Sequence, residues 1–250
     1  MTELDLIIEL HRGTTRQGPG SENTTLKALR FINPSATDKL QIADLGCGAG
    51  GQTLTLAQHT NSEITAVDLF PDFLEALDKK AEELGLQHQI NTVEASMDDL
   101  PFGNEAFDII WAEGAIYNIG FEKGIKDLKK YLKIGGHIAV SEITWIRNQR
   151  PEAISSYWES AYPEIDVASK KISVLEDNGY SLVGYFYLDK EDWLDNYYDE
   201  LRSKLPAFLT QYNHSELAQK VVRENEEEIR LYEQYQDYYS YGFYIARRDI

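Results

Sequence analysis

The sequence of 250 residues predicts an α/β fold, a mostly parallel sheet of seven strands with helices on both faces. Three observations carry that expectation. From Leu40 to about residue 140, short β-rich runs alternate with amphipathic helical patterns, the rhythm of parallel strands joined by crossover helices. A glycine-rich turn, Gly46 to Gly51, follows the first of those runs. The hydrophobic content of 42% lies in a chain without a repeat or a low-complexity linker, which suits one large core.

The elements follow in order. Gly18-Pro19-Gly20 and the polar cluster Ser21 to Thr24 stand before Leu26, Leu29 and Phe31, and read as a loop capping a helix. The strand candidates are LQIADL from Leu40, EITAVDL from Glu63, INTVEA from Ile90, FDIIWAE from Phe107 and HIAVSEI from His137. Between the second and third, Pro71 suits a first helical turn, Phe73, Leu74, Leu77, Ala81 and Leu84 recur at helical spacing, and Gly85 closes the helix. Between the fourth and fifth, Phe121, Ile125, Leu128 and Leu132 form one stripe ended by Gly135 and Gly136, with lysines on the solvated face.

Beyond the fifth strand, a loop at Arg150 and Pro151 leads through ISSYWESAYPEI to a helix from about Val167 to Glu176 and then to the strand YSLVGYFYL. Two helices come next. The first repeats Trp193, Tyr197, Leu201 and Leu205 and is expected to stop at Pro206. The second starts near Ser215 and spaces Leu217, Val221, Tyr232, Tyr235 and Tyr239 at near-helical intervals beside the acidic run RENEEE. The run YSYGFYIARR supplies the last strand, so the helices form an insertion at about 189–240 between the last two strands.

Charge and cysteine content narrow the partners. Acids outnumber bases 42 to 24, giving a formal charge of −18, which argues against nucleic acid or an anionic membrane surface. The single cysteine, Cys47, has no disulfide partner, and a reducing cytoplasm is the expected compartment. MTELDLIIELHRG opens with acids, unlike a secretory signal, and no apolar run approaches the roughly 20 residues of a membrane span. The histidines, His11, His59, His88, His137 and His214, lack ligand spacing, so no metal is expected.

The glycine turn carries two patterns at once. Gly46, Gly48 and Gly51 spell G-x-G-x-x-G, while Gly46, Gly48 and Gly50 spell G-x-G-x-G. In both, glycines let the backbone turn tightly and approach a ligand, and the next helix offers unpaired N–H groups. Asp68 stands about 20 residues further on, where a carboxylate accepts from ribose hydroxyls; that spacing fits NAD equally well.

Asp44 separates the two patterns, because it puts a charge inside the first strand. Asp44-Leu45-Gly46-Cys47-Gly48-Ala49-Gly50 resembles the first motif of class I S-adenosylmethionine-dependent methyltransferases. The resemblance continues through Asp68 as the ribose acid, SMDDLPF as the adenine loop, FDIIWAEGAIYNI as the fourth strand and its loop, and YLKIGGHIAVSE as the turn into the fifth strand. It covers roughly residues 38 to 145 and is most like the small-molecule enzymes of the ubiquinone and menaquinone type. The adenine loop departs from the family pattern: Ser96 and Met97 stand where an Asp and an Ala are usual, which moves the polar contact to Asp98.

The resemblance implies a Rossmann-like fold with S-adenosylmethionine as cofactor. It implies cofactor contacts from Arg16 or Gln17, Asp44, Gly46, Gly48, Gly50, Asp68, Leu69, Ser96, Met97, Asp98 and Glu113. A small-molecule acceptor is expected near Tyr117, Asn118, Trp145, Tyr157 and Trp158, with Tyr117 and Glu142 as candidates for an assisting base. The whole chain reads as one domain: 1–37 an N-terminal helical lid, 38–145 the cofactor core and 146–250 the substrate side, with a homodimer as the candidate assembly.

Alternatives stay open at this level. Asp44 also fits a buried structural carboxylate, and Cys47 a small filler. The aromatics beyond residue 145 fit an acceptor pocket or the underside of a cap. An NAD(P)-binding oxidoreductase and a noncatalytic cofactor-binding or dimerisation module are the competing functions. The module gains if the space beyond Trp145 is filled by the chain's own aromatic rings.

Overall fold

In the computed structural model, residues 1–35 and 37–249 are described; Ala36, within the expected lid segment, and Ile250 lie outside them. The chain opens with α1 (Glu3–His11), whose capping box joins Thr2 and Asp5, and α2 (Glu22–Ile32), capped by the Ser21 hydroxyl accepting from the Thr24 N–H. The alternating half follows as β1 (Leu40–Leu45), α3 (Gly51–His59), β2 (Ser62–Asp68), α4 (Pro71–Glu83), β3 (Ile90–Glu94), β4 (Phe107–Glu113), α5 (Phe121–Leu128) and β5 (Leu132–Trp145). The second half runs α6 (Glu152–Ala161), β6 (Asp166–Val167), α7 (Ala168–Asp177), β7 (Tyr180–Tyr187), α8 (Lys190–Trp193), α9 (Asp199–Gln211), α10 (Glu216–Tyr235) and β8 (Tyr239–Arg248).

The sheet has the order β3-β2-β1-β4-β5-β8-β7. Its β1 to β5 pairings are parallel, whereas β8 runs antiparallel to both β5 and β7. From β1 the chain steps one way to β2 and β3 and then returns to the other side for β4 and β5. The crevice beyond the carboxyl ends of β1 and β4 is therefore the switch point, the place where open parallel sheets hold ligands. Apolar residues pack both faces. Ile42, Leu56, Ile64 and Trp111 belong to one core cluster, and Leu45, Val67, Ile110 and Val140 to the other.

Four details differ from the sequence expectation. The sheet holds eight strands, because the two-residue β6 pairs with Thr144 and Trp145. Strand β5 begins at Leu132 rather than after the glycine pair: α5 ends at Leu128, a tight turn spans Lys129–Tyr131, and the ladder passes Gly135-Gly136 as an irregularity opposite Phe107 and Ile109. Helix α9 runs through Pro206 to Gln211, since Leu201, Leu205 and Phe208 are all buried. Burying Leu205 and Phe208, at about 1.5–3 kcal/mol each, offsets the roughly 3 kcal/mol cost of an interior proline. Tyr239 leaves the helical stripe to open β8, where it pairs with Trp145 in the antiparallel ladder.

Candidate functional site

The glycine loop takes its shape from backbone that only glycine adopts readily. Gly46 and Gly48 have φ of 67° and 53°, and the N–H groups of Gly46 and Cys47 both donate to the Val67 carbonyl at 2.8 and 3.0 Å, tying the loop to β2. A Cβ at Gly46 would collide with that of Ala115, and one at Gly48 with Oε1 of Gln17. Asp68 ends β2 beside the loop. Its Oδ2 accepts from the Gly48 N–H at 2.8 Å and its Oδ1 from the Phe70 N–H at 3.0 Å. Burial raises the Asp68 pKa, and the N–H groups of Phe70, Gly48 and Leu69 counter it.

A cavity of about 450 Å³ opens between this loop and the loop after β4, inside the size range of small-molecule sites. Gly46, Gly48, Asp68 and Leu69 form one wall. Ser96, Met97 and Asp98 form a second, where the Ser96 hydroxyl accepts from the Asp98 N–H at 3.3 Å and the exposed Asp98 carboxylate meets Lys123 Nζ at 2.6 Å. Glu113, Tyr117 and Asn118 line the far side.

The N-terminal segment supplies the remaining wall. Arg16 Nη1 donates to Glu113 Oε2 at 2.8 Å, and Glu113 Oε1 accepts from the Thr25 hydroxyl at 2.7 Å and from Trp111 Nε1 at 2.9 Å. Arg16 and Glu113 are thus paired and nearly enclosed, with side chains 9% and 4% exposed. Gln17 lies directly on the glycine loop. Its Oε1 accepts from the Ala49 N–H at 2.6 Å, while Nε2 donates to the Thr14 hydroxyl at 3.0 Å. Gln52 also lines the cavity and escaped the sequence reading, since one Gln in the first turn of a helix carries no pattern.

Several expected contacts are not on the cavity wall. Asp44 is fully buried beneath the loop, where it accepts from the Thr53 hydroxyl at 2.5 Å and from Gln52 Nε2 at 3.3 Å. Burial pushes its pKa up to about 7 against the lowering effect of Thr53 and Gln52. Gly50, with φ of 85°, starts α3 and leaves room for Leu77 of α4, so its role is packing. Glu142 is wholly enclosed and paired with Lys171 Nζ at 3.2 Å, behind the wall rather than in it. Burial raises its pKa, opposed by Lys171 and by Tyr162.

Trp145 is buried against Tyr239, with the Arg150 guanidinium 4.2 Å from its ring centroid. Trp158 packs its ring 5.3 Å from those of Tyr157 and Tyr239. Tyr157 lines a different crevice, against α1 and α10. These three residues belong to the underside of the helical insertion, because the period that makes an aromatic stripe apolar is the same for a core and for a pocket. Tyr117 does line the cavity, but burial raises its hydroxyl pKa, Glu228 and Glu142 add to the rise, and Asn118 opposes it. The phenol stays protonated at neutral pH.

Among the described residues, no group of three or more His, Cys, Asp or Glu side chains is placed to hold a metal ion. No helix of the described residues is long and apolar enough to cross a membrane.

Fold and site together define a Rossmann-like protein with a nucleoside-sized cavity at the switch point of its sheet. Residues 42–136, less than half of the chain, match the family model described as a methyltransferase domain. A sterol 4-C-methyltransferase of Caenorhabditis elegans is 27% identical over 127 residues, covering 47% of this chain and 37% of that protein. The chain therefore spans little more than a third of that relative's length. An S-adenosylmethionine-dependent methyltransferase from Geobacter sulfurreducens, solved with S-adenosylhomocysteine, superposes with a TM-score of 0.84 at 18% identity over 97% of both chains. The [4+2]-cyclase SpnF superposes with a TM-score of 0.77 at 18% identity, covering 99% of this chain and 92% of that one. One architecture thus serves more than one reaction, and the reaction must be argued from the site.

Proposed function

We propose that the protein transfers a methyl group from S-adenosylmethionine to a small organic acceptor. The observation that carries the proposal is the Asp68 carboxylate, braced by the Gly48 and Phe70 N–H groups at the edge of a cavity walled by the glycine loop. Its remaining lone pairs suit two ribose hydroxyls. Ser96, Met97 and Asp98 then take the adenine end, and Glu113 with Arg16 and Gln17 the amino-acid end, while Gly46 and Gly48 allow close backbone approach. When bound, the cofactor supplies an electrophilic methyl group on a sulfonium.

The carboxylates near the cavity grip remote parts of the ligand and so do not over-stabilise the starting cation. Tyr117 donates a hydrogen bond that orients the acceptor, and the surrounding walls exclude water. The competing functions find less support. The domain match speaks against an NAD(P) oxidoreductase. Aromatic rings do fill the space beyond Trp145, as a noncatalytic module would have it, but the cavity remains open as far as Tyr117 and Asn118, which leaves room for an acceptor.

The finer reading follows from the same chemistry. One domain spans the chain, with 1–37 as a lid, 38–145 holding the cofactor and 146–250 shaping the acceptor side. It works in a reducing cytoplasm, on small molecules and not on nucleic acid, with a homodimer as its assembly. Incubation of the protein with methyl-labelled S-adenosylmethionine and a small-metabolite fraction tests the activity. Label should pass to a low-mass product with the unaltered chain. No transfer to any fraction, from a protein that binds S-adenosylhomocysteine, would contradict the proposal.

A further inference from the structure

A second crevice, of about 600 Å³, lies between α1 and α10 and is walled by His11, Tyr157, Tyr197 and Glu228. Glu228 points into a group of tyrosines. Its Oε1 accepts from the Tyr198 hydroxyl at 2.9 Å, among the described residues no cation pairs with it, and burial raises its pKa against the lowering effect of Tyr198. Tyr157 and Tyr197 share the crevice wall with it, and the Tyr197 ring lies 5.1 Å from that of Tyr198. Burial raises the hydroxyl pKa of Tyr117, Tyr157, Tyr197, Tyr198, Tyr239 and Tyr241, and the Glu228 charge adds to the rise. Two of these tyrosines adjoin the first cavity. Tyr117 lines it, and the Tyr241 ring lies 3.0 Å from the position a Cβ would take on Gly114 of its wall.

Two cations, Lys220 and Arg223, line the same crevice. Lys220 is exposed and held by Glu3 at 2.5 Å and Glu224 at 3.7 Å, and Arg223 is exposed. Burial pushes the pKa of His11 down to about 4, with Lys204 adding to the fall, so at physiological pH the imidazole is neutral and offers Glu228 no counter-charge. A partly enclosed carboxylate without a counter-ion is costly, and aromatic faces attract cations. An anionic acceptor would meet Glu224, Glu227 and Glu228 together.

We propose that the crevice around Glu228 is an acceptor subsite that takes an organic ammonium group, walled by Tyr157 and Tyr197. The proposal rests on the methyl-transfer reading for its meaning as an acceptor site. Its binding chemistry stands on the carboxylate and the rings. The chain's net charge of −18 also favours approach of a cation.

Calorimetry with the full chain tests it, with choline and its neutral carbon isostere 3,3-dimethylbutan-1-ol as probes. S-adenosylhomocysteine is titrated first and then kept saturating. Choline should bind at least about tenfold more tightly than the isostere. Glu228→Gln, which keeps an acceptor for Tyr198, should remove that preference, and Tyr197→Leu should reduce it; circular dichroism checks that both variants are folded. Equal binding of the two probes, no choline binding, or a preference retained in Glu228→Gln would overturn the ammonium subsite and leave the methyl-transfer reading standing. Failure of S-adenosylhomocysteine to bind the unaltered chain would overturn that reading and, with it, the subsite's role.

Discussion

Replacing Asp44 with Asn should stabilise the protein above pH 7 and change little near pH 4. Asp44 is fully buried, and its pKa rises from 3.8 to about 7, mainly because burial disfavours the charged form. The folded state therefore holds a proton that the unfolded chain has already lost between those two values. Stability is fully present below pH 3.8 and falls as pH rises towards about 7. The gap corresponds to about 4 kcal/mol once both states are ionised. Asn carries no such charge penalty, and its oxygen accepts from the Thr53 hydroxyl, while Gln52 keeps its bond to the Cys47 carbonyl. For a domain of this size about 4 kcal/mol is a difference of roughly 8–16 °C in Tm. Thermal melts of both proteins from pH 4.5 to 8.5 measure it. A difference that stays constant with pH, or a more stable Asp44 protein at pH 8.5, would refute the reasoning.

Three other substitutions probe the site and its support. Asp68→Ala orphans the Gly48 and Phe70 N–H groups and should lower unfolding free energy by about 2–4 kcal/mol in urea titrations. In calorimetry the folded variant should bind S-adenosylhomocysteine at least about tenfold more weakly. Gly46→Ala drives a methyl group into Ala115 at a φ of 67° and should cost about 1–3 kcal/mol or more in denaturant melts, with weakened ligand binding. Lys171→Met alone leaves Glu142 buried without a cation and should cost about 3–5 kcal/mol. Adding Glu142→Leu should recover most of that loss in the same melts.

The sheet was legible because its signals are local. Each strand is a short β-rich run with turn residues at its ends, and the helices α4 and α2 announce themselves through Pro71 and Ser21. Where local and tertiary terms conflict, the tertiary term decided the outcome. Pro206 sits inside a helix because its neighbours are buried, and Tyr239 opens a strand because β5 offers it a ladder partner. The site divides in the same way. Gly46, Gly48 and Asp68 share the cavity because the backbone of one loop and one strand end brings them together. Asp44 and Gly50, from the same motif, turn towards α3 and α4 instead, since the sequence names the turn but not the direction in which each atom points. Trp145, Trp158 and Glu142 misled for another reason. An aromatic or acidic residue at a strand end has the same sequence signature in a wall as behind one, and only the packing of α7 and the helical insertion distinguishes them.

On the methyl-transfer proposal, the cavity beside the glycine loop holds S-adenosylmethionine. Calorimetric titration of the unaltered protein with S-adenosylhomocysteine and, separately, with NAD tests it most directly. Saturable one-to-one binding of S-adenosylhomocysteine, with no heat from NAD, is the predicted result. At about 100 times its dissociation constant the bound ligand should also add roughly 2.7 kcal/mol of stability. Preferential binding of NAD, or no binding of S-adenosylhomocysteine by the folded protein, would contradict the account.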